Sequence, residues 1–176
     1  ILPDESAETI EAWVRDLCER LQVEVLVTDD ADSLKTVADE LGVEQQLCRA
    51  HVNRNVHDLL ASLGTKALTQ PDRVPAGSGL SHAQFVDDLQ QLEEIIKGLP
   101  HDGHRQLAQL AERYQVAPPP RPGGKASMWY RLRLLTLDWS ENWARLTRFQ
   151  SWRGAHGERL DGTNNACERA IGWWIK

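Results

Sequence analysis

Apolar residues recur every three to four positions through the segment AETIEAWVRDLCERL. Ile10, Trp13, Val14, Leu17 and Leu21 fall on one side, and Glu8, Glu11, Arg15, Glu19 and Arg20 on the other. That period predicts an amphipathic helix. The PDES ahead of it supplies Pro and oxygen-bearing side chains for the unpaired amides of a first turn, and Ile1 and Leu2 read as the stump of a strand. The period then changes. VEVLVT, 23 to 28, is short, β-branched and apolar, which predicts a buried strand that ends at Asp29 and Asp30. SLKTVADELG returns to helical spacing through Leu34, Val37, Ala38 and Leu41, with Ser33 as the expected N-cap and Gly42 as the stop. VEQQLC, 43 to 48, predicts a weaker strand. Helix, strand, helix, strand in this rhythm predicts an α/β sheet.

Beyond His51 the pattern is helical only. Val52, Val56, Leu59, Leu60 and Leu63 predict a helix that stops at Gly64. Two segments, 69 to 81 and 117 to 127, are too rich in Pro and Gly for a helix or a central strand. Between them the spacing predicts helices over 82–98 and 101–116, with Phe85, Leu89, Leu92 and Ile96 as one apolar stripe. Two more helices are expected between 127 and 152, and a last one from about Thr163. No internal repeat is visible.

The chain has 176 residues, enough for one domain or for one domain interrupted by another. No apolar run approaches the ~20 residues of a membrane helix, so a soluble chain with no membrane partner is expected. Cys18, Cys48 and Cys167 form no even framework, which favours a reducing cytoplasm over a disulfide-stapled secreted fold. A start at Ile1 and an end at Lys176 inside a helical pattern read as a fragment. The net charge of -6 argues mildly against nucleic acid, but it is unevenly divided. Residues 1–120 carry 10 Lys and Arg against 21 Asp and Glu, whereas residues 121–176 carry 10 against 5. In that basic third, Arg131, Arg133, Arg145, Arg148, Arg153 and Arg159 are interleaved with Trp129, Trp139, Trp143 and Trp152, a mixture suited to phosphate contact and base stacking. An amphipathic helix pair with Trp inward and Arg in solvent has the same pattern.

Three places could carry chemistry. Ligands of α/β sheets gather at the carboxyl ends of strands, where Asp29 and Asp30 are expected; a carboxylate there could bind Mg²⁺ or merely cap the following helix. Strand alternation favours Asp29 over Asp30. Cys48 and His51 stand three apart after the second strand, without the paired motifs of a zinc site. Cys48 is therefore expected as a small buried residue, and His51 as a polar strand-end residue able to orient a phosphate or a water. In GTNNACERAIGWW, Thr163, Asn164 and Asn165 could cap a helix whose first turns hold Glu168, and the positive helix end alone could account for that acid.

With VTDD, CRAHVNRNV and TNNACER in that order, the chain resembles the DDE transposases of bacterial insertion sequences, in the Mutator-like branch with a ribonuclease-H-like catalytic domain. The resemblance implies an α/β, partial ribonuclease-H-like fold interrupted by a long all-helical insertion. The ribonuclease-H-like portion would occupy 1–56, the insertion 57–160, and the returning helix 161–176. It further implies Asp29 as the second catalytic acid and Glu168 as the third, both as metal ligands. Cys48, His51 and Asn165 would support the site, and Arg131, Arg133, Arg145, Arg148, Arg169 and Lys176 would contact DNA. Two Mg²⁺ or Mn²⁺ ions, transposon-end and target DNA, a homo-oligomer assembled on DNA, and a cytoplasmic, nucleoid-associated location follow from the same resemblance. The first catalytic Asp of such enzymes ends the first sheet strand. Asp4, placed before the first helix, does not fit that position, so the first acid is expected upstream of Ile1 and this segment alone is expected to be inactive. A catalytically inactive, transposase-derived DNA-binding or scaffold domain is the alternative.

Overall fold

The computed structural model describes residues 6–164. It is a mixed α/β chain, mostly helical, with one two-stranded parallel sheet among the described residues. Two compact units are present, one formed by residues 1–52 and 144–176, the other by 53–143.

In the first unit, α1 spans Ala7–Leu21 and starts where expected: the Ser6 side chain accepts the Thr9 amide at 3.3 Å. Gln22, with φ of 50°, ends it in a left-handed turn. Its buried side is narrower than the apolar pattern suggests. Cys18 is buried, Ile10, Val14 and Leu17 are half-buried, and Trp13 and Leu21 stay exposed. Trp13 lies at the margin of that stripe, and Leu21 is the final helical residue.

Strand β1 is Val25–Thr28 and β2 is Glu44–Leu47, paired in parallel with Val25 opposite Glu44 and Thr28 opposite Leu47. The helix between them, α2, runs Asp32–Leu41 and packs on α1. Gly42, at φ 66°, closes α2 as its position predicts. Its start differs from expectation: Ala31, not Ser33, is the N-cap, because Asp29 already accepts the Ala31 amide and Asp32 enters the first turn as its acidic residue. Strand β1 is half-exposed along its whole length, not buried. Among the described residues it has a strand on one edge only. Strand β2 is covered, with Gln45, Gln46 and Leu47 all buried.

Helix α3 spans Arg49–Thr69, and α7 spans Trp143–Ser151. The buried Gln46 side chain ties α7 to β2, donating to the Leu146 carbonyl at 3.1 Å and accepting the Phe149 amide at 2.7 Å. These bonds place α7 with the sheet, in the unit that resumes at Ala144. The division between units falls within α3, after Val52.

The second unit holds the rest of α3 with α4 (His82–Gly98), α5 (Gly103–Arg113) and α6 (Met128–Glu141). Helix α3 runs through Gly64 instead of stopping there. A helical Gly costs only about 1 kcal/mol relative to Ala, and this one lies against Leu89 of α4, 3.8 Å from where its Cβ would be. Phe85, Leu92, Leu107, Leu110, Tyr114, Met128, Trp129 and Leu132 are fully buried. Phe85 meets Trp129 edge-on at 5.0 Å, and the Trp129 indole N–H donates to the Arg73 carbonyl at 3.1 Å. One buried charge sits in this core. The Asp88 carboxylate accepts the Tyr114 hydroxyl at 2.7 Å and the Gln84 amide at 3.0 Å, and pairs with Arg113. Burial, with the Asp88 carboxylate beside it, pushes the Tyr114 phenol above its ordinary value. Among the described residues no helix is long and apolar enough to cross a membrane.

Candidate functional site

The site is built from the carboxyl end of the two parallel strands. Because Thr28 pairs with Leu47, the next residues, Asp29 and Cys48, leave the sheet side by side. The Cys48 amide donates to the Thr28 carbonyl at 2.6 Å, and the Gln45 side chain donates to the Thr28 hydroxyl at 2.7 Å, fixing the two strand ends together.

Asp29 is exposed, and its Oδ1 accepts the Ala31 amide at 3.3 Å. Asp30 points elsewhere and pairs with Lys35 at 2.7 Å, both side chains more than four-fifths buried. The alternation expected of a strand end thus separates the two acids, one toward solvent and one into the fold. Cys48 is completely buried. His51 does not stand at the strand end; it lies in the first turn of α3 and is half-buried.

The returning segment reaches this same end of the sheet. The Cys48 thiol donates to the Asn164 carboxamide oxygen at 2.9 Å, and the Arg49 amide donates to the Gly162 carbonyl at 2.9 Å. Asp161 closes the turn between them, accepting the Thr163 amide at 2.8 Å and its hydroxyl at 3.2 Å. Asp29, Cys48 and Asn164 are therefore gathered at one end of one sheet. Glu168, Asn165, Arg169 and Lys176 lie outside the described residues.

The basic residues are divided between the units and much engaged. Arg145 makes a two-pronged pair with Asp39 at 2.9 and 2.8 Å and also reaches the Gln45 side chain. Arg148 pairs with Glu44 at 3.1 Å. In the other unit, Arg133 lies 3.4 and 3.5 Å from the carbonyls of Gln115 and Ala117, near the end of α5. Arg131 is half-buried and lines an open depression of about 300 Å³ with Leu59, Leu134, Leu135 and Asp138. Trp129 and Trp139 are buried, which removes them as base-stacking platforms, whereas Trp143 and Trp152 are half-buried.

As a metal ligand, Asp29 fits in kind: a hard, solvent-facing oxygen donor at a strand end, suited to a cation that takes one or two carboxylates and keeps several waters. Among the described residues no three His, Cys, Asp or Glu side chains are grouped to hold a metal ion. Sequence reasoning missed Gly162, Arg49 and Phe149, which seat the returning segment. The Asp-Gly pair at 161 and 162 was the available signal, since it marks a turn. Comparisons with protein-family models, with curated proteins and with solved structures found no match for this chain.

Proposed function

We propose that this chain is part of the ribonuclease-H-like catalytic domain of a DDE DNA transposase and takes part in metal-dependent DNA strand cleavage and strand transfer. The observation that carries the reading is the Cys48–Asn164 contact at 2.9 Å. It brings the segment that leads to Glu168 to the end of the sheet where Asp29 stands, although the two are far apart in sequence. The half-exposure of Val25, Leu26 and Val27 in an apolar strand also supports the reading, because a ribonuclease-H-like sheet continues past that edge.

Asp29 and Glu168 would hold the metal, with the first acid supplied by a further strand. Two Mg²⁺ or Mn²⁺ ions about 3.5–4 Å apart would supply activation of the attacking oxygen and charge stabilisation of the leaving one. Asp29 is kept in place by the strand pair and by its bond to the Ala31 amide. Cys48 contributes through position: its amide joins the strand ends and its thiol orients Asn164, with Asn165 beside it in sequence and His51 one helical turn away. DNA would be met by Arg131 and Arg133, by Arg169 and Lys176, and, outside their carboxylate pairs, by Arg145 and Arg148, in a homo-oligomer assembled on transposon ends within the bacterial cytoplasm.

In the full-length protein, Asp29→Asn or Glu168→Gln abolishes Mg²⁺-dependent cleavage and strand transfer while DNA binding persists. Turnover at the wild-type rate by either variant contradicts the assignment. The internal pairing of Arg145 and Arg148 and the burial of Trp129 and Trp139 favour a second reading, a catalytically inactive transposase-derived DNA-binding or scaffold domain. That reading expects no cleavage from the wild-type protein.

A further inference from the structure

We infer that Arg49, Phe149 and Gly162 form a latch that fixes where the segment leading to Glu168 sits relative to the strand ends; the three are positioning residues for the site and not DNA contacts. The inference rests on the function proposed above. Three stretches of chain meet at this point: the start of α3, the end of α7 and the turn at 161–164. The Arg49 guanidinium lies over the Phe149 ring, 4.6 Å from its centre, a distance at which a cation is attracted to the ring face. Phe149 is itself held, its amide bonded to the buried Gln46 side chain. Gly162 closes the triangle. Its carbonyl accepts the Arg49 amide, and a Cβ on it would lie 2.9 Å from Arg49 Cδ and 3.0 Å from the Phe149 ring. Its φ of 75° falls in the left-handed region that favours glycine. Both the conformation and the space therefore require glycine two residues before Asn164. With the guanidinium occupied by the ring, Arg49 is spent on holding the chain, although a basic residue beside a DNA-processing site invites assignment to phosphate.

The test uses the full-length protein and three variants, Gly162→Ala, Arg49→Leu and Arg49→Lys. Two quantities are read: the rate at which iodoacetamide alkylates Cys48, followed by peptide mass, and kcat for Mg²⁺-dependent DNA cleavage alongside the Kd for the same DNA. Gly162→Ala and Arg49→Leu raise Cys48 alkylation and lower kcat, each by about tenfold or more, as a small misplacement of catalytic groups does, while Kd stays within about twofold. Alkylation of Cys18, in α1, is unchanged. Arg49→Lys keeps a cation at the ring and recovers most of both losses. Unchanged Cys48 alkylation in Gly162→Ala and Arg49→Leu overturns the latch, and a weakened Kd in Arg49→Leu with kcat intact overturns it in favour of a DNA contact. A parallel rise at Cys18 marks general unfolding and also overturns it. The two proposals fail separately. Wild-type protein without cleavage, but with Cys48 protection that depends on Gly162, removes the transposase reading and supports the latch; wild-type cleavage that the variants leave untouched removes the latch alone.

Discussion

Cys48 and Asn164 are 116 positions apart in sequence, yet the thiol of one lies 2.9 Å from the carboxamide oxygen of the other. A buried hydrogen bond contributes about 1 kcal/mol net, and leaving one partner unsatisfied costs about 1–3 kcal/mol. Cys48→Ala and Asn164→Ala are each expected to lower unfolding free energy by about 1 kcal/mol, and the double variant by less than their sum. Urea denaturation of the four proteins measures the coupling. Strict additivity would show that the two side chains do not interact in solution.

The adjacent acids at the end of β1 should part in their effects. Asp29 is exposed, so Asp29→Asn is expected to leave stability within about 0.5 kcal/mol while removing metal-dependent activity. Asp30 is largely buried against Lys35, and Asp30→Asn removes the carboxylate charge that faces that ammonium at 2.7 Å. A loss of about 1–3 kcal/mol in thermal or urea unfolding is expected for it. The reverse pattern, with Asp30 needed for activity and Asp29 for stability, would exchange their roles.

In the helical unit, the Asp88 carboxylate is the acceptor for Tyr114, Gln84 and Arg113 at once. An amide in its place turns one acceptor into a donor facing other donors. Asp88→Asn is expected to cost about 3 kcal/mol, toward the lower end for a broken buried pair because Arg113 is partly exposed. Tyr114→Phe, which removes one bond and no charge, is expected to cost about 1–2 kcal/mol. A loss under about 1 kcal/mol for Asp88→Asn, measured by urea denaturation, would show that this cluster contributes little.

Acid should loosen the same unit. Burial raises the Asp72 carboxyl, but the Lys66 ammonium and the Met128 amide, each 2.6 Å from its Oδ2, outweigh that and hold it below its ordinary 3.8. Glu93 is held below 4.5 by Lys97 first and by His57 second. A depressed folded value means that the unfolded chain binds protons first. The stabilisation is therefore complete above those ordinary values and is lost as pH falls through the lower folded ones. Melting temperature should fall as pH drops below about 4, and the slope should flatten in Asp72→Asn and Glu93→Gln. An equal slope in the variants and the parent would assign the acid sensitivity to other groups.

The period of apolar residues was enough to find α1 to its last residue and to place both strands to within two residues, because the spacing and β-branching that mark a helix or a strand are local to each segment. It failed where burial depends on distant chain. Among the described residues, Trp13 and Leu21 match the helical stripe but stay exposed, and VEVLVT looks like an interior strand but has a partner on one edge only. Gly64 failed as a stop because Leu89 packs against it. At the end of β1, strand position placed both acids, and alternation turned them apart, Asp29 toward solvent and Asp30 toward Lys35. Cys48 was expected to be buried, but its bond to Asn164 was invisible, since nothing local in either stretch encodes the other. The basic residues illustrate the same limit: charge spacing showed Arg145 and Arg148, while Asp39 and Glu44, which neutralise them, lie about a hundred residues earlier.

The most direct measurement is a crystal structure of the full-length protein grown with Mn²⁺, read by anomalous scattering. The transposase reading predicts manganese peaks at the carboxyl end of β1, within about 2 Å of carboxylate oxygens of both Asp29 and Glu168. Peaks that touch neither acid, or carboxylates too far apart to share a pair of ions about 4 Å apart, would contradict it.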